Sequence, residues 1–177
     1  MEFNEVHKYE VFDAVDIDGN KLNIDLIRGQ KHENGLYHIV IEIMTMNEHN
    51  QILMTQRHSR KNYGLFWEIT GGSILKGETI KQGAIRELKE ETNLLTTEDN
   101  LKLVYEEIYG DGLFKGFIHK IDMKNQTIVL QEDETIDYQW VDPCEFVSFI
   151  NRDDFIPHTR QRILRAWEIL EDDIYCK

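Results

Sequence analysis

The opening stretches of the chain alternate apolar and polar positions. Tyr9 to Ile17 is rich in β-forming residues, and Leu22, Ile24 and Leu26 alternate with Asn23 and Asp25. Asp18-Gly19-Asn20 stands between them, so the pattern predicts a β-hairpin. His38 to Met46 predicts a further strand with Ile39, Ile41 and Ile43 on one face, and Ile52 to Arg57 another. Lys61 to Gly77 carries four glycines, Gly64, Gly71, Gly72 and Gly77, and reads as a structured loop. Thr79 to Thr92 has helical spacing. Leu101 to Tyr109 and Leu113 to Ile121 read as strands joined through Gly110-Asp111-Gly112. Ile128 to Leu130 and Ile136 to Val141 read as short strands. Pro143 is placed to open a helix through Ile150, and Thr159 to Leu170 predicts a last helix with Ile163, Leu164, Trp167 and Leu170 on one stripe. Strands and helices mix without a regular β-α-β alternation. The expected class is therefore α+β, a mixed α/β/α sandwich, with residues 1–177 as one domain and 1–36 as an N-terminal hairpin extension.

The helix over Thr79 to Thr92 has an anomaly. With Ile80 at zero and about 100° per residue, Ala84 falls near 40°, Leu88 near 80° and Ile85 near 140°. On the same wheel Glu87 falls at roughly 340°, Glu91 at about 20° and Glu90 at about 280°. Three carboxylates crowd one edge of the apolar stripe, and Glu91 lies inside it. Like charges at these spacings cost little in water and more beside a dry core. A solvated face paired with Arg86 and Lys89 accounts for Glu90 and poorly for Glu91. A hard divalent cation such as Mg²⁺ resolves the conflict, because it takes oxygen ligands and leaves room for phosphate oxygens.

Charge sharpens this picture. The chain has 33 Asp and Glu against 20 Lys and Arg, a formal net charge of −13. That balance opposes nucleic-acid binding, which needs a cationic face, and opposes an anionic membrane surface. An anionic substrate would then need a positive bridge, and a metal ion is the obvious one. The early acidic residues Glu2, Glu5, Glu10, Asp13, Asp16 and Asp18 lead to the expectation of no signal or transit peptide and a cytoplasmic protein. Cys144 and Cys176 match no zinc or redox spacing and are expected to be reduced thiols.

The segment Gly72 to Leu94, GSILKGETIKQGAIRELKEETNL, resembles the Nudix hydrolase signature, G-x5-E-x7-R-E-U-x-E-E-x-G-U with U a bulky aliphatic. Gly72, Glu78, Arg86, Glu87, Leu88, Glu90, Glu91 and Leu94 occupy the pattern. The one departure is Asn93 in place of glycine, at a position where a helix ends in the left-handed region and asparagine is the next-best residue. The element order from Tyr37 onward also resembles the Nudix fold, a mixed sheet between helices.

That resemblance implies a hydrolase cleaving a small-molecule diphosphate linkage, usually in a nucleoside diphosphate derivative, by water attack at phosphorus with Mg²⁺ (or Mn²⁺). Charge neutralisation, an activated water and in-line positioning are what such a reaction needs. By the same resemblance Glu87 and Glu91 are metal ligands and Glu90 is a third ligand or holds a metal-bound water. The carbonyl of Gly71 completes the set. Arg86 and Glu78 pair and orient the glutamates. The general base comes from the signature helix or from a later loop, where Glu134 is chosen over Glu132 and Asp133. Arg57, at a strand end facing the glycine loop, is a candidate phosphate contact, with Arg60 and Lys61 beside it. Trp67 and Tyr63 are assigned to core packing rather than base stacking, and His38 to structure rather than ligation.

The stretches YEVFDAVDIDGNKL, GLYHIVIEIMTMN and FWEITGG resemble a branch related to isopentenyl-diphosphate isomerase. Allylic isomerisation is thus the second reading. However, no cysteine lies between Phe66 and Glu78, Ser73 stands near where the isomerases have a loop histidine, and the hydrolase signature is kept. A non-catalytic nucleotide sensor is the third reading, and such a module has no need of the glutamates. No sequence feature decides the oligomeric state. Many members of the family dimerise, and the N-terminal hairpin is a candidate contact for a homodimer.

Overall fold

The computed structural model describes residues 10–175. The opening hairpin forms as its pattern predicts, with β1 (Val11–Val15) antiparallel to β2 (Lys21–Ile27) and Phe12 opposite Leu26. Its turn is fixed by the Asp16 carboxylate, which accepts from the N–H groups of Asp18 and Asn20, and by Gly19 at φ 82, a region glycine enters without steric cost. Phe12, Ala14 and Leu26 are buried together against Leu36 and Leu75. Reciprocal backbone bonds between Val15 and Tyr37 tie the hairpin to the body.

The remaining strands form a seven-stranded mixed sheet centred on β3 (His38–Met46). One edge of β3 runs parallel to β8 (Gly112–Lys120) along its whole length, and β8 is in turn antiparallel to β7 (Leu101–Tyr109). The other edge of β3 divides. Val40 to Ile43 pair with β6 (Thr70–Ser73), whereas β4 (Ile52–Arg57) meets β3 only at Met46–Ile52. Beyond that point β4 pairs with β5 (Trp67–Glu68) and β9 (Thr135–Val141). The sheet therefore splits beside Ile41 and Glu42, and the split opens a cleft.

Both faces of the sheet are covered. Ile39, Ile41, Ile43 and Leu53 pack on Ala84, Leu88 and Leu94 at α1 (Ile80–Thr92). Met44, Met46, Ile52 and Met54 pack on α2 (Pro143–Ile150), α3 (Pro157–Arg165) and α4 (Trp167–Tyr175). This is the expected α+β sandwich. No helix among the described residues is long and apolar enough to cross a membrane.

Four expectations need correction. The segment Lys61 to Gly77 is not all loop, because β5 and β6 lie within it. Ile128 to Leu130 is not a strand: Val129 donates to the carbonyl of Thr92 and Gln131 to that of Glu91. These single bonds satisfy the open carbonyls of the α1 end instead of building a ladder. The last helix is two, starting at Pro157 and broken at Ala166. Across the break Ile163, Ala166, Leu170 and Ile174 keep the spacing of one stripe and are buried, whereas Leu164 lies off it and is 40% exposed. Finally, Trp67 is core but Tyr63 is 44% exposed. Cys144 is a free, exposed thiol, and Cys176 lies outside the described residues, as does Tyr9.

Candidate active site

The chain reverses tightly from β6 into α1. Thr79 caps the helix: its hydroxyl accepts from Gln82 N–H at 3.2 Å, and its own N–H donates to the Gln82 side chain at 3.0 Å. The other end closes on Asn93 at φ 60, whose N–H returns to the Lys89 carbonyl. Asparagine thus takes the left-handed cap that the glycine of the signature would occupy.

This short connection lays the helix edge directly over the glycines. A side chain on Gly72 would put its Cβ 2.2 Å from the carboxylate carbon of Glu87, so that carboxylate fills the space glycine leaves. Gly83 allows the same close approach against Ile74. Arg86 spans the junction. Its Nε donates to Glu78 Oε1 at 2.7 Å and its Nη2 to Glu78 Oε2 at 3.0 Å, a two-pronged pair. It also donates to the Ser73 carbonyl at 3.0 Å, to Glu87 at 2.9 Å and to Glu90 at 3.1 Å. The expected Arg86–Glu78 pair is therefore present, and the same guanidinium reaches two of the three helix glutamates.

Glu91 is only 7% exposed. Its Oε2 is buried without a hydrogen-bond partner. Burial pushes its carboxyl well above the usual carboxylate range, and the charges of Glu68 and Glu87 push it further. Burial also lifts Glu87 to about 7 against the opposing charge of Arg86. Glu78 goes the other way: burial would raise it, but the Arg86 bonds and the Leu75 N–H hold it below the ordinary value.

A cleft of about 430 Å³ runs from this cluster along the split in the sheet. Gly71, Gly72, Arg86, Glu87, Glu90 and Glu91 line one side. Arg57 and Glu134 line it too, so the structure brings Glu134 to the glutamates across some forty residues of chain. Glu134 is ion-paired with Lys61, and Arg60 with Asp133. Arg57 holds Glu68 with both prongs from Nη1, at 2.7 and 2.8 Å. Of the charged signature residues, Glu78 alone does not line the cleft and acts through Arg86.

Sequence reasoning missed several lining residues. Glu68 stands inside FWEITGG, but nothing in the pattern says that β5 would aim it at Glu91. Glu42 shares its β3 face with the apolar Val40, Met44 and Met46, a signal of the same kind as Glu91. It is buried at 5% exposure and satisfied by Arg162, itself 4% exposed, at 2.7 and 2.6 Å. Tyr105 and Thr159 complete its partners at 2.6 and 2.8 Å. Glu10 and Arg28 come from the hairpin and carried no sequence signal.

The donor set of Glu87, Glu90 and Glu91 is all oxygen, the chemistry of a hard divalent ion, and the buried bare Oε2 of Glu91 fits such a charge. Among the described residues no group of three or more His, Cys, Asp or Glu side chains stands ready-arranged as a metal site, in keeping with the hold of Arg86 on Glu87 and Glu90.

Comparison with known proteins places this geometry. A model of the NUDIX domain matches residues 36–164. The uncharacterized Nudix hydrolase lmo0368 of Listeria monocytogenes is 29% identical over 134 residues, covering 75% of this chain and 79% of that one. Among solved structures, DR0079 of Deinococcus radiodurans superposes with TM-score 0.72 at 15% identity, over 89% of this chain and 99% of that one. The dihydroneopterin triphosphate pyrophosphohydrolase of E. coli does so with TM-score 0.53 at 22% identity, over 76% and 98%. The signature cluster, the sheet that carries it and the match over 36–164 together make this chain a member of the Nudix family, and the protein is a Nudix hydrolase.

Proposed function

We propose that the protein is a divalent-metal-dependent pyrophosphohydrolase. It cleaves a diphosphate linkage in a small molecule, a nucleoside diphosphate derivative or related compound, by water attack at phosphorus. The observation that carries this reading is Glu91, a buried carboxylate with one bare oxygen beside Glu87 at the cleft wall. Such a group is costly without a cation.

Glu87, Glu90 and Glu91, with the carbonyl of Gly71, are the residues that would hold Mg²⁺ (or Mn²⁺). When bound, the ion neutralises phosphate charge and lowers the pKa of a water ligand. The protein's own groups then divide the remaining work. Arg86 and Glu78 position the helix glutamates. Arg57 meets a phosphate from the opposite wall. Glu134, oriented by Lys61, accepts the proton of the attacking water. The new P–O bond forms as the bridging P–O bond breaks, and its electron pair leaves on the bridging oxygen. Residues 1–177 act as one domain, on a small molecule rather than on nucleic acid or a membrane.

The test is release of phosphate, pyrophosphate and monophosphate products from a panel of diphosphate compounds, with Mg²⁺, Mn²⁺ or EDTA, comparing wild type with Glu90→Gln. Metal-dependent turnover that falls at least a hundredfold in the variant is expected. Turnover unaffected by EDTA would overturn the reading.

A further inference from the structure

The hairpin that precedes the matched family region reaches the catalytic cleft. Glu10 and Arg28 both line it. They are joined by an ion pair at 2.6 Å and by the Arg28 N–H to Glu10 carbonyl bond at 3.0 Å. Arg28 and Ser73 also line a second cleft, of about 390 Å³, with Lys31, His32, His38 and Asp111. The two spaces are therefore contiguous, sharing a wall at Arg28 and Ser73.

The second cleft has the opposite electrical character from the first. Two permanent cations, Arg28 and Lys31, and two imidazoles, His32 and His38, stand against the single carboxylate of Asp111. This is a local exception in a chain of net charge −13. Its floor is built rather than incidental. Phe12 is stacked on one side by the His38 ring at 5.0 Å and carries the Arg28 guanidinium over its ring at 5.7 Å. The backbone N–H of His38 is fixed on the Asp111 carbonyl at 3.0 Å. His38 Nδ1 is buried without a hydrogen-bond partner, and His38 lines the cleft.

We infer that this second cleft is an anion subsite for a phosphate beyond the scissile diphosphate, so that the substrate class is a triphosphate or longer phosphate chain rather than a plain diphosphate. The inference rests on the proposed hydrolase reading. Arg28 is its pivot. Half-exposed and held by Glu10, it exchanges that carboxylate for the terminal phosphate, and Lys31 supplies the second positive charge. A third phosphate lying here places the inner linkage against the glutamate cluster, because the clefts meet at Ser73, next to Gly72.

The test is calorimetric titration of the full chain with inorganic tripolyphosphate and with inorganic pyrophosphate. It is done with Mg²⁺ in the Glu90→Gln background, where turnover is suppressed. Tripolyphosphate is expected to bind at least tenfold more tightly than pyrophosphate. Arg28→Gln and the exposed Lys31→Gln should each weaken tripolyphosphate at least fivefold and leave pyrophosphate within twofold. Glu10→Gln should strengthen tripolyphosphate binding, since it releases Arg28, an effect that a purely structural ion pair would not produce. Equal loss for both anions, or no loss for either, overturns the subsite. Failure of the hydrolase reading shows separately, as no release of phosphate, pyrophosphate or monophosphate product from any compound by the wild type.

Discussion

The missing side chain of Gly72 is occupied by the carboxylate of Glu87, whose Cδ would lie 2.2 Å from a Cβ at that position. The obstacle is the end of a flexible side chain and not backbone, so the fold can absorb it while the carboxylate cannot stay in place. Gly72→Ala should leave urea stability within about 1 kcal/mol of wild type, because only Glu87 has to move. Turnover should fall about a hundredfold, the scale of an ångström-sized displacement of a reacting group. Paired measurement of unfolding and phosphate release checks both halves.

Glu91 makes the complementary prediction. Its neutral isostere Glu91→Gln removes a carboxylate that burial and its neighbours already hold above the usual range. Metal-free stability should therefore be unchanged or higher near neutral pH. Turnover should fall by orders of magnitude, as for loss of a metal ligand. Mg²⁺ should raise the melting temperature of wild type and not of the variant. A melting temperature that responds equally in both proteins would remove Glu91 from the metal site.

The chemistry of this site was legible in the sequence because α1 is regular. A 3.6-residue period puts Glu91 among Ala84 and Leu88, and the structure buries it there. Asn93 could be read as a left-handed cap for the same reason, since the conformation depends on one residue. What could not be read depends on long-range packing. Arg28, Glu68 and Arg162 reach the same cleft from the hairpin, β5 and α3, and no local period relates them. Ile128 to Leu130 has the composition of a strand, but its N–H groups had nearer carbonyls to meet at the end of α1. The break at Ala166 had no signal either, as alanine is the best helix former.

Two groups give stability opposite pH slopes. Burial lifts Glu87 from 4.5 to about 7. In metal-free protein the folded state therefore holds a proton that the unfolded state has released, and stability falls as pH rises through that window. His119 lies on β8 with Nε2 buried and unpartnered, and burial lowers it from 6.5 to about 4. Here the unfolded state holds the extra proton, and stability rises with pH across about the same span. Each contribution is about 3 kcal/mol. In EDTA, replacing Glu87 by Gln should make the pH 4.5–6.5 profile climb more steeply than wild type. His119→Asn should make it climb less, or fall. Denaturant melts at half-unit pH intervals measure the differences. Parallel profiles for all three proteins would refute the assignment.

Glu42 and Arg162 test whether the cleft floor is held by charge or by shape. Glu42 pairs with Gly71 across β3 and β6, so its side chain hangs from the strand beside the one that carries the glycines. It reaches α3 through the two-pronged Arg162 contact and the Thr159 hydroxyl. Gly116 leaves room for the Tyr105 ring, which a Cβ there would meet at 2.1 Å, and Tyr105 donates the fourth bond. Removing one charge leaves the other buried without its counter-ion. Arg162→Met should cost about 3–5 kcal/mol, and Glu42→Gln a similar amount. Arg162→Lys should not rescue, because a single ammonium cannot reproduce the planar fork. The double variant Glu42→Gln/Arg162→Met leaves no bare charge and should cost well under the sum of the singles, with a coupling of about 2 kcal/mol or more. Urea unfolding of the four proteins completes the cycle. Additive losses would mean that Glu42 and Arg162 contribute independently and that their contact does not couple α3 to the sheet.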